Sequence, residues 1–136
     1  MFKRLLVPID LSDRNARTLR TALELARQSR ARVTLLHVIH RIGNGELREF
    51  YQRLMKSSER KLNQAAKPFP TRGVGVGVEV CIGEPAVEIV RAAARLKADL
   101  IVMGSHKVNP RRRTRGWGTT SYKVGVLCQC PILLVK

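Results

Sequence analysis

Two glycines, two threonines and a run of basic residues in the last third of the sequence have the composition of a phosphate site. Gly104 follows the apolar run Leu100–Met103, and Gly118 precedes Thr119 and Thr120, which are suited to the start of a helix. Backbone N–H groups at such turns and at helix N-termini bind anions. The segment between the glycines adds the basic residues Lys107, Arg111, Arg112, Arg113 and Arg115.

Asp10 is the acidic residue best placed to act beside such a site, because it follows the apolar run Leu5–Ile9. The sequence shows no Ser/His/Asp or Cys/His arrangement that predicts a nucleophile, and no paired carboxylates at predicted strand ends. The histidines have no zinc-ligand spacing to a cysteine pair. Cys128 and Cys130 are too close in sequence for an ordinary disulfide, and we expect Cys130 to be a packing residue before Pro131. The residues therefore favour binding over catalysis.

Alternating strands and helices must position these residues. Apolar runs or period-two patterns predict strands at Leu5–Ile9, Arg32–Ile39, Val74–Ile82, Leu100–Met103 and Ile132–Val135. Spacings of three and four predict helices, which begin after Ser12 or Asp13, from Glu46, at Pro85 and at Thr119. The predicted inward residues of the first helix are Ala16, Leu19, Leu23 and Ala26, and those of the second include Leu47, Phe50, Tyr51 and Leu62.

This alternation predicts an α/β fold with a mostly parallel sheet and helices on both faces. Ligands of such sheets bind beyond the carboxyl ends of the strands, at the point where the strand order reverses. Gly75 and Gly77 interrupt the third strand, which predicts that it lies at an edge.

Length and composition limit the classes of protein. The 136 residues predict one domain, 1–136, and an apolar content of 44% is enough for a core. No run of 18 apolar residues predicts a membrane span, and the N-terminal apolar stretch is too short for a secretory signal. An odd number of cysteines, three, predicts a reducing, cytoplasmic location. The net charge of +16 attracts polyanions and leaves nucleic acid open as a partner.

Five motifs in order resemble the universal stress protein family over almost the whole chain. They are Leu6–Ser12, Leu35–Val38, Gly83–Pro85, Ala98–His106 and Cys130–Val135. The resemblance implies an open five-stranded parallel sheet of order 3-2-1-4-5, the adenine nucleotide alpha hydrolase-like fold. It also implies a regulatory role in stress response and a homodimer in which the last strands, Ile132–Val135, pair with each other.

The resemblance further implies a site for ATP, with or without Mg²⁺. Asp10 would contact the ribose and the backbone of Val38 the adenine, while Gly104, Gly118 and the two threonines would contact phosphates. The positions that match the family's nucleotide site are Pro8, Ile9, Asp10, Val38, Met103, Gly104, His106, Lys107, Gly118, Thr119 and Thr120.

The glycine motif departs from the family pattern at two points. Lys107 occupies the position of the second glycine, and ten residues rather than nine separate it from Gly118. A lysine is strained where glycine adopts positive φ, although its ammonium can itself contact phosphate. Three alternatives to a regulatory, ATP-binding role therefore stay open. They are a member without a working nucleotide site that acts through protein contacts, a polyanion binder that uses Arg111–Arg115, with Trp117 free to stack on a base, and a slow ATPase.

Overall fold

A computed structural model describes residues 1–43, 47–70, 75–105 and 119–136. Strands and helices alternate along these residues in the predicted order. The strands are β1 (Arg4–Pro8), β2 (Arg32–His40), β3 (Val76–Gly83), β4 (Leu100–Gly104) and β5 (Ile132–Val135); the helices are α1 (Ala16–Ser29), α2 (Arg48–Ala66), α3 (Pro85–Arg95) and α4 (Thr120–Leu127). A 3-10 turn at Asp13–Asn15 precedes α1.

The strands form a sheet in the order β3-β2-β1-β4-β5, and every neighbouring pair is parallel. This order confirms the predicted topology. The strand order reverses between β1 and β4, where Leu5 and Leu6 pair with Leu100 and Ile101. The strand β3 lies at an edge as its glycines predict, and Gly75, just before it, has a φ of 79°.

Each face of the sheet carries its own core, because side chains alternate between the faces along a strand. Leu5, Val7 and Leu35 pack with residues of α1 and α2 on one face. Leu6, Leu36, Ile101 and Met103 pack with α3 and α4 on the other. Helices therefore cover both faces, as the alternation predicts.

The inward faces of α1 and α2 agree in part with the predicted ones, since Ala26, Tyr51 and Leu62 are buried as predicted. In α1 the buried residues are Thr18, Ala22 and Ala26, whereas Leu19 and Leu23 are half-buried and Ala16 is exposed. Small side chains at the centre let the helix approach the sheet closely, so the leucines pack along its sides. In α2 the buried residues are Tyr51, Ser58, Leu62 and Ala66, a stripe of helical period, while Leu47 and Phe50 at its start are 54% and 49% exposed.

Side chains at the helix starts accept hydrogen bonds from free backbone N–H groups. Ser12 caps the 3-10 turn, Glu84 caps α3 through the N–H of Val87, and Pro85 occupies the first helical position. Thr119 caps α4 by accepting from the N–H of Tyr122 at 3.3 Å. These caps fix where the chain turns from strand end to helix. Among the described residues, none of the helices has the length and apolar character needed to span a membrane.

Candidate functional site

A cleft of about 680 Å³ opens at the carboxyl ends of β1, β2 and β4, where the strand order reverses. Its floor comes from the strand ends, and one wall comes from the first turn of α4. The fold places a ligand site of an open parallel sheet at this position. The predicted site residues that line the cleft are Pro8, Ile9, Asp10, Val38, Met103, Gly104, Thr119 and Thr120.

The remaining predicted site residues, His106, Lys107 and Gly118, lie outside the described residues. The same holds for the arginine-rich segment Arg111–Arg115 and for Trp117. Their contribution to a site therefore stays a prediction from the sequence. Residues that the sequence separates by about a hundred positions, such as Asp10 and Thr119, do line the same cleft.

Hydrogen bonds fix the carboxylate of Asp10 at the end of β1. Its Oδ1 accepts from the N–H of Ser12 at 2.9 Å, from the hydroxyl of Ser12 at 2.6 Å and from the amide of Asn15. Partial burial raises the pKa of Asp10, but the hydrogen bonds from Ser12 and Asn15 and the charge of Arg14 outweigh it and leave the pKa below its ordinary value. Asp10 is therefore an ionised acceptor at neutral pH, held in one orientation beside the cleft.

Gly104 lets α1 and the sheet approach each other closely. A methyl group built at Gly104 would lie 3.3 Å from the hydroxyl oxygen of Thr18, which is buried in α1. Gly104 is not among the glycines with positive φ in the described part of the chain. Packing on the α1 side therefore favours a small residue at this position, independently of any contact that its backbone makes with a ligand.

The first turn of α4 forms one wall of the cleft. Thr119, Thr120 and Ser121 all line the cleft, and the hydroxyls of Thr119 and Ser121 lie 3.3 Å apart. The cap made by Thr119 uses the N–H of Tyr122. Free N–H groups and the helix dipole give this end of α4 a partial positive charge, which suits an anionic group.

His37 is a cleft residue that the sequence reasoning missed. Its Nδ1 lies 2.9 Å from the carbonyl oxygen of Ile9. Because a carbonyl oxygen only accepts, Nδ1 carries the hydrogen, and in the neutral ring Nε2 is left as an acceptor. The signal for it was present, since His37 adjoins Val38 in a strand that ends at the predicted ligand edge.

Three cationic residues at the cleft were also missed. Arg14, Arg17 and Lys136 line it, and a guanidinium nitrogen of Arg17 donates to the main-chain oxygen of Lys136 at 2.8 Å. The Nζ of Lys136 lies 3.2 Å from the hydroxyl of Ser105, which follows β4. Three cationic residues therefore line the cleft within the described part of the chain. The three-residue spacing of the two arginines just after Asp10 could have indicated it.

The thiol groups lie away from the cleft. The Sγ atoms of Cys128 and Cys130 are 3.2 Å apart, and both residues pack against the core beneath α3 and α4. Burial, followed by the hydrogen bond with Cys128, raises the pKa of Cys130 to about 12. The packing role predicted for Cys130 agrees with this position. In the ranges that the structure describes, no group of three or more His, Cys, Asp and Glu side chains is arranged to hold a metal ion.

Comparison with known sequences identifies the family. The model of the family described as Universal stress protein family matches residues 1–136. The chain belongs to this family. Universal stress protein YxiE of Bacillus subtilis (strain 168) is 30% identical to it, and the alignment covers both chains in full. A universal stress protein of Thermus aquaticus is 31% identical, again over the whole of both chains.

Solved structures have the same fold as this universal stress protein. The hypothetical protein MJ0577 superposes with a TM-score of 0.83 at 27% identity, over 100% of this chain and 96% of that chain. A universal stress protein from Archaeoglobus fulgidus in complex with dAMP gives a TM-score of 0.71 at 23% identity, over 99% and 98%. A universal stress protein in complex with cAMP gives 0.70 at 18%, over 99% and 97%. The sheet order and these neighbours establish the adenine nucleotide alpha hydrolase-like fold.

Proposed function

We propose that this universal stress protein binds an adenine nucleotide, such as ATP, in the cleft and acts as a regulatory module. The observation that carries the proposal is the cleft itself, about 680 Å³ at the point of strand-order reversal, with Asp10 on one side and the start of α4 on the other. This volume lies within the range of small-ligand sites. The dAMP and cAMP complexes of the two structural neighbours support adenine as the base.

The chemistry of the cleft suits the parts of a nucleotide. The ionised carboxylate of Asp10 is an acceptor for ribose hydroxyls, and the backbone of Val38 is available to adenine. Gly104, Thr119 and Thr120 lie where phosphates would meet N–H groups, with Arg14 and Arg17 supplying opposite charge. In this proposal His106, Lys107 and Gly118 complete the phosphate contacts, and Mg²⁺ is bound by the phosphates.

Calorimetric titration with AMP and ATP, each with and without Mg²⁺, tests the proposal. We expect binding, and we expect Asp10→Asn to weaken it about tenfold, as loss of a charge-assisted hydrogen bond does. Asp13→Asn is the matched control, because Asp13 lies three residues away and does not line the cleft. The proposal fails if millimolar nucleotide gives no heat and no thermal shift, or if both variants bind equally.

The phosphate end has its own test. Replacing Arg14 and Arg17 together by glutamine should weaken ATP more than AMP, since ATP carries more charge. Replacing Arg20 and Arg27, exposed residues of α1 outside the cleft, removes the same charge and should have little effect. If both pairs of substitutions reduce the ATP affinity equally, the arginines act only through the overall positive charge of the protein and not through contacts in the cleft.

A second candidate is a universal stress protein without a working nucleotide site that acts through protein contacts. Lys107 in the place of glycine and the ten-residue spacing to Gly118 favour it. It predicts that the unaltered chain binds no nucleotide, whereas Lys107→Gly together with deletion of one residue of the segment creates ATP binding. Tight ATP binding by the unaltered chain would eliminate this candidate.

A third candidate is polyanion binding, which the net charge of +16 favours. Its affinity for single- or double-stranded nucleic acid would fall steeply with salt. Replacing Arg111, Arg112, Arg113 and Arg115 by alanine should reduce that slope. Unchanged nucleic-acid binding in this variant would show that the arginine-rich segment is not the binding site.

We also infer a homodimer of single-domain chains (1–136) in the cytoplasm. The outer edge of β5 has no strand beside it among the described residues, and Leu133 and Leu134 are 39% and 41% exposed. Pairing two such edges would cover apolar surface and satisfy backbone groups. The three free cysteines suit a reducing compartment.

A further inference from the structure

A second cleft lies at the opposite, amino-terminal ends of the strands. It has a volume of about 310 Å³ and is bounded by the starts of β1 and β2 and by the last turn of α3. Its polar lining consists of Arg4, Arg32, Thr34 and Arg95. Along β1 its lining includes Arg4, Leu5 and Leu6, whereas the nucleotide cleft is lined by Pro8, so Val7 separates the two linings on this strand. The two clefts share no lining residue.

Strand register brings two arginines together at this end. Arg4 and Arg32 are direct partners in the β1–β2 pair. Leu6 and Leu36 belong to the core on the α3/α4 face, so alternation puts Arg4 and Arg32 on that face as well. Neighbouring strands are about 4.8 Å apart, and like charges directly opposite each other are destabilising. An anion between them would remove this repulsion.

The nearby carboxylates are occupied by other groups. Glu79 pairs with Arg95 through two hydrogen bonds, and this pair lies on the same face of the sheet. Asp99 accepts from the main-chain N–H groups of Lys3 and Arg4, at 2.8 and 2.9 Å. Within the described ranges, no carboxylate forms an ion pair with the guanidinium of Arg4 or of Arg32.

Thr34 adds a hydroxyl to the same cleft. It lies two residues after Arg32 on the same face of β2 and is 8% exposed. Its hydroxyl makes no hydrogen bond with the residues that the structure describes. The hydroxyl oxygen is not completely enclosed, so a molecule in the cleft can reach it. The cleft therefore offers three donor groups, which are the guanidinium groups of Arg4 and Arg32 and the hydroxyl of Thr34. An oxyanion can accept hydrogen bonds from all three.

We propose that this cleft, named here the amino-end cleft, binds a small phosphate-type oxyanion, either inorganic phosphate or a phosphomonoester. Arg4 and Arg32 supply bidentate donors and charge, and Thr34 supplies a hydroxyl donor. The planar guanidinium matches the spacing of phosphate oxygens, which a lysine ammonium does not. The site is independent of the nucleotide cleft, and its ligand would contact the sheet at its other end.

Titration followed by NMR of the ¹⁵N-labelled protein tests this proposal. Sodium phosphate and glycerol phosphate are added separately, with sodium chloride at equal ionic strength as the reference. We expect saturable shifts at the amides of Arg32, Thr34, Leu96 and Ala98. The comparison of the two ligands shows whether an organic group adds affinity. Shifts confined to Ser105 and the residues of α4 would overturn the proposal, because phosphate would then be reporting the nucleotide cleft.

Variants assign the effect to the cleft. Arg4→Gln combined with Arg32→Gln should weaken phosphate binding at these amides at least about tenfold. Arg20→Gln with Arg27→Gln removes the same charge from α1 and should leave it unchanged. Arg4→Lys combined with Arg32→Lys should give intermediate affinity, since charge stays but the bidentate geometry is lost. Equal affinity in the glutamine pair and its control would overturn the proposal.

Thr34→Val removes the hydroxyl but keeps the shape of the side chain. It tests the site even if the arginine double variant does not fold. We expect it to weaken phosphate binding several-fold while the spectrum stays otherwise native. Unchanged affinity in Thr34→Val and in the single variant Arg32→Gln would also contradict the site. The AMP affinity of all these variants should equal that of the parent, which separates this proposal from the nucleotide proposal.

Discussion

At Asp10 one carboxylate oxygen accepts three hydrogen bonds from residues within the next five positions. The turn that follows β1 is therefore ordered by local contacts. A ligand group that meets Asp10 meets an acceptor whose orientation is already fixed, so little conformational entropy is lost on binding. The same interactions lower the pKa of Asp10, and this makes the turn sensitive to acid.

Asp10→Asn should alter the acid dependence of stability. Because the folded-state pKa is lowered, the stabilisation is present above the unfolded-state pKa, about 3.9, and is lost as pH falls through the folded-state value. The stability advantage of the parent over Asp10→Asn should therefore shrink between about pH 5 and pH 3. Urea denaturation across this range measures it, with Asp13→Asn as the control. If the stability difference between the parent and Asp10→Asn stays constant with pH, the folded-state pKa of Asp10 is not lowered.

Cys81 and Cys130 should react slowly with thiol reagents. Burial, then the charges of Glu88 and Glu79, raises the pKa of Cys81, and burial with the Cys128 contact raises that of Cys130. Only the thiolate is nucleophilic. Alkylation by iodoacetamide at pH 8, followed by mass spectrometry, should be at least about tenfold slower at both sites than in the urea-unfolded chain. Equal rates would show that neither thiol is shielded.

At the scale of elements, two contacts set how helices meet the carboxyl edge of the sheet. Gly104 admits Thr18 of α1 against the end of β4, and Thr119 fixes the first turn of α4. Both residues also line the candidate nucleotide cleft. Packing and capping therefore build the walls of the cleft before any ligand is considered.

Gly104→Ala should destabilise the fold by about 1–3 kcal/mol, the usual cost of overpacking. The added methyl would stand 3.3 Å from the Thr18 hydroxyl, which is buried. Adding Thr18→Ala should recover part of that loss, because it removes the opposing atom. Gly125→Ala is the contrasting control, since no atom lies within 4 Å of its new methyl and alanine is favoured in a helix. Thermal unfolding of the three variants and the parent protein gives the comparison.

Thr119→Ala should cost about 1 kcal/mol of stability, because the N–H of Tyr122 loses its acceptor. Thr119→Ser keeps a hydroxyl and should be close to neutral. Thr120→Ala, one residue later and outside the cap, should have a smaller effect than Thr119→Ala. Chemical denaturation measures all three. If Thr119→Ala and Thr120→Ala reduce the stability equally, the hydrogen bond of the Thr119 cap makes no specific contribution.

At the scale of the whole molecule, charge and apolar surface are unevenly distributed. The described residues of α1 carry several exposed arginines, whereas α4 and β5 expose apolar side chains, including Val126 at 65%. Such an apolar edge is suited to a second copy of the chain. The two clefts lie at opposite ends of the sheet, so each can be tested without disturbing the other.

Leu133→Lys with Leu134→Lys should convert the proposed dimer into a monomer, because charges on an unpaired edge strand oppose pairing. Light scattering after gel filtration measures the mass against the 15.3 kDa of one chain. Leu47→Lys with Phe50→Lys adds the same charge at the exposed start of α2 and should leave the dimer intact. A monomeric parent protein would refute the dimer outright.

The sequence by itself determined the alternation of strands and helices, because hydrophobic periodicity is a local property. It also determined the strand order, through the resemblance carried by Leu6–Ser12, Ala98–His106 and Cys130–Val135. It also predicted the cleft residues at the strand ends, because parallel strands have their carboxyl ends at the same edge of the sheet.

Only the tertiary structure decided which helix positions face the sheet and which cations join each cleft. The inward stripe of α1 depends on how closely the helix approaches the sheet, so Ala22 is buried and Ala16 is not. The pairing of Arg4 with Arg32 depends on register, and the approach of Lys136 to Ser105 spans thirty-one positions of the chain. These are long-range distances, and a local pattern of residue types does not specify them.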